Sequence, residues 1–286
     1  MKDYGISLKR QERVAIITLE RPEKHNAFDT HMWDCLDKVV AELKSSLPRV
    51  IVLTGAGAKA FCAGFDVNPE NPSLKPLLAS METHDKGPAY DLILRVRTSV
   101  DHLVSLPVPI IAAINGLAYG GGAEIASRCD LRVMDPGAVF CFSEVRLGLM
   151  PDHGGVVGLT RLVGASRAAD LILTARKVPA DEALQLGLTN RVSAAGKALE
   201  EALFLAQSIA ENGPRAVRHA LSVIRRVIDL TNQEALELET EEAVTLIASG
   251  ESVQGISAFL TRQKPVFTDP EDSLFEPKIR FASEII

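Results

Sequence analysis

Cysteine is scarce in this chain, and the four present, Cys35, Cys62, Cys129 and Cys141, fall at no spacing that holds a metal or makes a redox pair. Their pattern excludes a zinc ribbon or a C-x-x-C centre and leaves the thiols as core fillers in a reducing compartment. Positive charge is also short: 31 Lys and Arg face 37 Asp and Glu, for a net charge of -6. That balance lacks the basic face of a general nucleic-acid binder. No apolar run is long enough to span a bilayer. The opening "MKDYGISLKRQERVAIITLE" passes from charged residues straight into an alternating apolar segment, without the apolar core of a signal peptide. A cytoplasmic protein with no membrane or nucleic-acid partner is therefore expected. Internal repeats are absent as well. What remains, 47% hydrophobic and 24% charged over 286 residues, is ordinary globular composition with enough chain for a large core.

Strand and helix patterns alternate through the first two thirds. "RVAIITLE" (13–20) partly alternates apolar and polar positions, as a strand does. In "HMWDCLDKVVAELKSS" (31–46), Met32, Leu36, Val39, Val40 and Leu43 recur at helical spacing. The apolar runs "RVIVLTG" (49–55), "PIIAAINGLA" (109–118) and "DLRVMD" (130–135) fit strands buried on both faces. Between them, residues 68–90 carry four prolines and read as a long irregular loop, either a substrate-facing wall or a surface insertion. From about residue 197 the pattern becomes helical, with Val217, Leu221, Ile224 and Ile228 on one stripe and Pro214 suited to a helix start. The expected class is α/β, with a core over residues 1–196 and a helical region and tail over 197–286. The last stretch, "DPEDSLFEPKIRFASEII", is too weakly periodic to assign.

Two segments share a construction that carries chemistry. "LTGAGAKAFCAGFD" (53–66) and "AINGLAYGGGAEIA" (113–126) each run from an apolar strand into a turn of small residues. Such turns let backbone N–H groups face a ligand unobstructed, and a helix start adds unsatisfied donors and the positive end of its dipole. Two converging amides of this kind can stabilise an oxyanion. Tight strand–helix packing is the other use of Gly120–Gly122. "GAGAKA" (55–60) loosely resembles a dinucleotide fingerprint, but Ala60 replaces its third glycine and a proline-rich stretch follows where an acid-tipped strand belongs.

With these segments in view, the chain resembles the enoyl-CoA hydratase/isomerase (crotonase) superfamily. The likeness rests on five motifs in order: "RPEKHNAF" (21–28), "KAFCAGFDV" (59–67), "PIIAAINGLAYGGGAEIASRCDLRV" (109–133), "FSEVRLGLMPDHGG" (142–155) and "GISAFLTRQKPVF" (255–267). The resemblance implies a crotonase-like spiral of ββα repeats with a helical C-terminal section. It implies assembly as a homotrimer or a dimer of trimers. It also implies an acyl-CoA thioester substrate, with neither metal nor redox cofactor. Carried over residue by residue, it puts an oxyanion hole at the backbone N–H groups of Phe65 and Gly121. Phe65 departs from the family's usual alanine, which leaves the donor in place and alters the acyl pocket.

The same resemblance assigns catalytic carboxyls to Glu124 and Glu144, which together could activate water toward the β-carbon and protonate the α-carbon. Their burial and mutual repulsion would raise their pKa values, while the helix dipole favours ionised Glu124. Either glutamate could instead serve as a dipole partner or a cap. Asp152 stands where some isomerases of the family carry a proton-shuttling acid, or it caps the following helix. His153 beside it could assist proton transfer, or, as a lone histidine in a glycine-rich turn, be a bystander. For coenzyme A the resemblance points to Lys24, Asn26 and Ala27, to the turn of Ala63, Gly64 and Asp66, to Gly120, and to Phe267 near the adenine. The leading expectation is a 2-enoyl-CoA hydratase. A double-bond isomerase using Asp152 or Glu144, a thioester hydrolase and a non-catalytic acyl-CoA binder are the alternatives.

Overall fold

In the computed structural model, residues 2–3, 5–271 and 273–277 are described. Eleven strands are found among the described residues: β1 (Lys2–Asp3), β2 (Ile6–Gln11), β3 (Val14–Leu19), β4 (Val50–Gly55), β5 (Ala60–Cys62), β6 (Ile110–Ile114), β7 (Leu117–Tyr119), β8 (Leu131–Met134), β9 (Val139–Cys141), β10 (Val178–Pro179) and β11 (Arg191–Val192). The α-helices among the described residues are α1 (Thr30–Ser45), α2 (Leu74–Thr83), α3 (Gly87–Val104), α4 (Gly121–Arg128), α5 (Gly155–Val163), α6 (Ala165–Thr174), α7 (Ala180–Leu186), α8 (Ala198–Ala210), α9 (Pro214–Arg226), α10 (Asn232–Ala248) and α11 (Glu251–Leu260).

The strands form two sheets, β1-β2-β3-β4-β6-β8-β11 and β10-β9-β7-β5. The order follows from a repeated step. β4, β6 and β8 lie parallel in the larger sheet, while the strand after each, β5, β7 and β9, crosses to the smaller one. A helix follows each pair. The chain is thus an α/β spiral of ββα units followed by a helical C-terminal section, as the motifs implied.

Strand alternation shows why the central strands read as unbroken apolar runs. Ile51 and Leu53 of β4 join the core cluster that contains α1, whereas Val50 and Val52 pack against Ala202, Ala206 and Ala210 of α8. Both faces are covered, so neither needs polar residues. At the roots of this sheet, Arg132 is buried and its guanidinium donates to the Leu188 and Cys129 carbonyls at 2.8 and 2.6 Å.

Two expectations need correction. "PIIAAINGLA" is two strands in different sheets, broken at Asn115 and Gly116. Asn115 Nδ2 donates to the carbonyls of Gly55 and Gly57 at 2.9 and 2.7 Å, and a side chain on Gly116 would overlap the Lys59 carbonyl. The proline-rich stretch 68–90 is not irregular: it holds α2 and the start of α3. Pro76 and Pro88 fall in the first turns of these helices, where a missing N–H costs no intrahelical bond. The expected stripe runs along α9 into the turn after it, at Ile228. Leu221 is buried, but Ile224 is 65% and Ile228 63% exposed. Most of the C-terminal tail lies outside the described residues.

Among the described residues, no single helix is long and apolar enough to cross a membrane. The packing that matters most downstream is that of α4 on β5, where a β-carbon on Gly122 would overlap the Cys62 carbonyl. Gly122→Ala is therefore expected to cost roughly 3 kcal/mol or more by forcing these backbones apart. Thermal unfolding should show a fall of about 6–12 °C.

Candidate active site

The N-terminus of α4, the turn after β5 and the segment following β9 converge on one cavity of ≈ 200 Å³. Convergence starts with Gly64. At φ +90° it takes a backbone conformation that side chains resist, and a β-carbon there would lie 2.7 Å from the Gly121 nitrogen. The turn is held from the other side by Phe28, whose N–H donates to the Gly64 carbonyl and whose carbonyl accepts from Asp66. Among the described residues, neither the Phe65 nor the Gly121 amide donates to a protein acceptor. Phe65, Gly120 and Gly121 all line the cavity.

Glu124, in the first turn of α4, is 1% exposed. Its Oε2 accepts from the amides of His153 and Gly155 at 2.8 and 2.7 Å, so a carboxylate from one helix caps the start of the next. Gly155 has to be glycine, because a β-carbon would overlap the Glu124 side chain. Glu144 opens a single helical turn, Glu144–Leu147, and both its carboxylate oxygens are buried without a hydrogen-bond partner among the described residues. Burial, and then repulsion from Glu144, pushes the Glu124 carboxyl up to about 8. Burial likewise raises Glu144 and Asp152 above the ordinary carboxylate range.

Asp152 caps no helix. Gly154 occupies the N-cap of α5 without a side-chain bond, and Asp152 Oδ1 instead lies 3.2 Å from His153 Nε2. His153 lies in the same place. The ring is buried, packs edge-on to Trp33 at 5.6 Å, and sets Nδ1 3.7 Å from Glu124 Oε1. Burial, assisted by Arg128, pushes its pKa down to about 4. Its place between an acid and a double glycine was the signal in the sequence, and spacing alone could not show that the ring turns inward.

The remaining candidates separate. Ala63 lines the cavity, while Lys24 and Asp66 line an adjoining polar cleft of ≈ 340 Å³. Asp66 is paired with Arg21 at 3.0 Å. Asn26 is fully buried, and its side chain is spent on the backbone of Arg21, Ala56 and Ala60. It holds the loop and faces no cleft; Ala27 is buried beside it. Phe267 lines neither space. Its ring packs by Gly213 and Gly255, and its carbonyl accepts from Arg49 at 2.7 Å. The α2 wall was only half foreseen: Leu74, Leu77, Leu78 and Met81 line the cavity opposite the carboxyls. All four cysteines are buried free thiols, and burial holds Cys62 and Cys129 up at about 12.

A sequence model of the family described as enoyl-CoA hydratase/isomerase matches residues 9–270. The chain belongs to the enoyl-CoA hydratase/isomerase family. Within that family it is similar to the short-chain-enoyl-CoA hydratase of Clostridium acetobutylicum, at 34% identity over 92% of this chain and 97% of that protein. It is 31% identical to the crotonyl-CoA hydratase of Syntrophomonas wolfei, over 92% and 97% respectively. Among solved structures, the enoyl-CoA hydratase from Bacillus anthracis superposes with a TM-score of 0.83 at 32% identity, covering 92% of this chain and 98% of that one. As a member of the hydratase/isomerase family, the chain is an enzyme whose named candidate residues now have positions.

The carboxyl cluster has a stability consequence. Glu124 binds its proton more tightly in the folded chain than in the unfolded one. Its contribution is therefore full below the ordinary 4.5 and is lost as pH rises through about 8. Glu124→Gln, uncharged at every pH and still able to accept from both amides, is expected to unfold a few degrees higher than the unaltered protein near pH ~9. Thermal melts should show that gap closing below pH ~5.

Proposed function

We propose that this chain is a hydratase that adds water reversibly to a 2-enoyl-CoA thioester. The observation that carries the reading is the pair of buried carboxyls on one cavity, with both oxygens of Glu144 unpartnered beside Glu124. The thioester oxygen would take the free amides of Phe65 and Gly121, which stabilise the enolate as charge develops. Both carboxyls are shifted up by burial, so one can take a proton from water while the other gives one to the α-carbon. The scheme needs no metal and no redox cofactor. Lys24 in the polar cleft would meet the phosphates of coenzyme A. Assembly as a trimer or a pair of trimers belongs to the same reading and would cover Ile247, Phe259 and Leu260, now 67%, 82% and 75% exposed.

A second reading, double-bond isomerisation, is favoured by Asp152 on the same cavity. The test is a paired assay on the purified protein. With a 2-enoyl-CoA, hydration removes conjugation and gives a 3-hydroxyacyl-CoA by mass. With a 3-enoyl-CoA, isomerisation creates conjugation without a change in mass. Hydration is the expected outcome, with kcat/KM falling about 100-fold or more in Glu124→Gln and in Glu144→Gln. Release of free coenzyme A, or no reaction with chains of any length, would sink the hydratase reading.

A further inference from the structure

Of the buried polar atoms without a hydrogen-bond partner among the described residues, Nδ1 of His153 is one that the proposed chemistry leaves unused although its residue lines the cavity. His153 is 6% exposed, and its Nδ1 has no hydrogen-bond partner among the described residues. Buried polar atoms are nearly always paired, so an orphan at the edge of a catalytic cavity asks for a role.

Its surroundings define that role. The backbone is pinned at both ends: His153 N–H donates to Glu124 Oε2, and the His153 carbonyl accepts from Arg128 Nη1 at 3.0 Å. Arg128 is itself held by Asp101 of α3 at 2.6 Å. The charged groups facing the ring are Glu124 and Arg128 from α4 and Asp152 from its own loop, with Glu144 across the cavity; α1 contributes only Trp33. Burial keeps the ring neutral at ordinary pH. A neutral imidazole donates at one nitrogen and accepts at the other. Nε2 sits 3.2 Å from Asp152 Oδ1, close to it but off the line of a hydrogen bond; assigning the ring proton to Nε2, beside that carboxylate, leaves the lone pair on Nδ1. That lone pair faces Glu124 Oε1 at 3.7 Å. This is about 0.5–1 Å beyond a hydrogen bond, a gap of the kind that closes when a ligand fills a site.

The geometry points to His153 as a proton-sharing bridge that makes Glu124 and Asp152 one unit. The Glu124 O–H bond breaks as Nδ1–H forms, while Nε2–H breaks as an O–H bond forms on Asp152. Glu124 ends as a carboxylate, Asp152 as an acid, and the ring is still neutral with its proton moved across; the reverse movement restores the start. No electron changes hands and no co-reactant is needed. The Asp152 side chain is 35% exposed and the Glu124 side chain 1%, so the bridge connects the buried carboxyl to the open part of the cavity. His153 is then a positioning residue that acts through two carboxyls. It gives one site two points of proton delivery, and thus both hydration and double-bond migration. This inference rests on the reading of the site as an enoyl-CoA enzyme.

Two measurements test it. The first is nitrogen NMR on the full chain with labelled histidine, His153 being assigned by the signal lost in His153→Gln. The expected spectrum shows a neutral ring protonated at Nε2 at pH ~7, with no titration above pH ~5. An imidazolium, or a proton on Nδ1, would overturn the bridge. The second follows a 3-enoyl-CoA in heavy water and compares deuterium entering at the γ-carbon with that entering at the α-carbon. Asp152→Asn and His153→Gln should each lower γ relative to α by about tenfold or more, and the double variant should do no worse than the weaker single. Multiplying effects, or an equal loss at both carbons, would assign His153 a structural role only. If the unaltered protein acts on no enoyl-CoA at all, the functional reading fails, while the nitrogen spectrum still decides the bridge.

Discussion

Oε2 of Glu124 is the atom on which the site hangs. By accepting the amides of His153 and Gly155 it ties the start of α4 to the start of α5, and so fixes the position of everything between Glu144 and the second helix. The tie is possible only because side chains are missing around it. Gly122 lets α4 sit on β5, Gly64 lets the facing turn touch α4, and Gly155 leaves room for the glutamate itself. The three glycines and the carboxylate form a single steric and electrostatic solution. The dipoles of two helix starts stabilise charge on Glu124, and burial opposes it. Burial prevails in the raised pKa.

Three acids and a histidine share this small space, and burial disfavours their charged forms. Arg128 does not supply a counter-charge to the carboxyls, since its guanidinium is engaged by Asp101 and the His153 carbonyl. The carboxyls are shifted up, toward keeping their protons, while the imidazole is shifted down, toward losing its charge. A pocket whose buried carboxyls keep protons close to hand favours addition to a polarised double bond.

Much of this was legible in the sequence because it was written in side-chain omissions and apolar runs. Gly120–Gly122 followed by Glu124 announced a close approach and a buried acid, and the continuous apolar strands announced a sheet covered on both faces. What was not legible depended on partners distant in the chain. The break at Asn115 and Gly116 is imposed by carbonyls of Gly55, Gly57 and Lys59. The prolines of 68–90 looked like breakers, although Pro76 and Pro88 stand in first turns where proline is welcome. Asn26 matched a binding motif yet is consumed in holding three backbone segments together. The two readings of His153 stayed open because nothing local says that an imidazole beside Asp152 will turn toward Glu124, far back in the chain.

The wall built by α2 differs in kind from the rest of the site. No residue of α2 is buried, and its leucines and Met81 lean on α3 and on the cavity. Such a helix draws little of its free energy from the core, so the occupant of the cavity becomes part of its hydrophobic support. Each methylene an acyl chain adds against Leu77 or Leu78 is then shared between binding and helix order. Selectivity for chain length and the rigidity of α2 are two readings of one linked equilibrium. Substitutions on this helix can retune the enzyme toward other acyl groups and leave the glycine-framed carboxyls undisturbed.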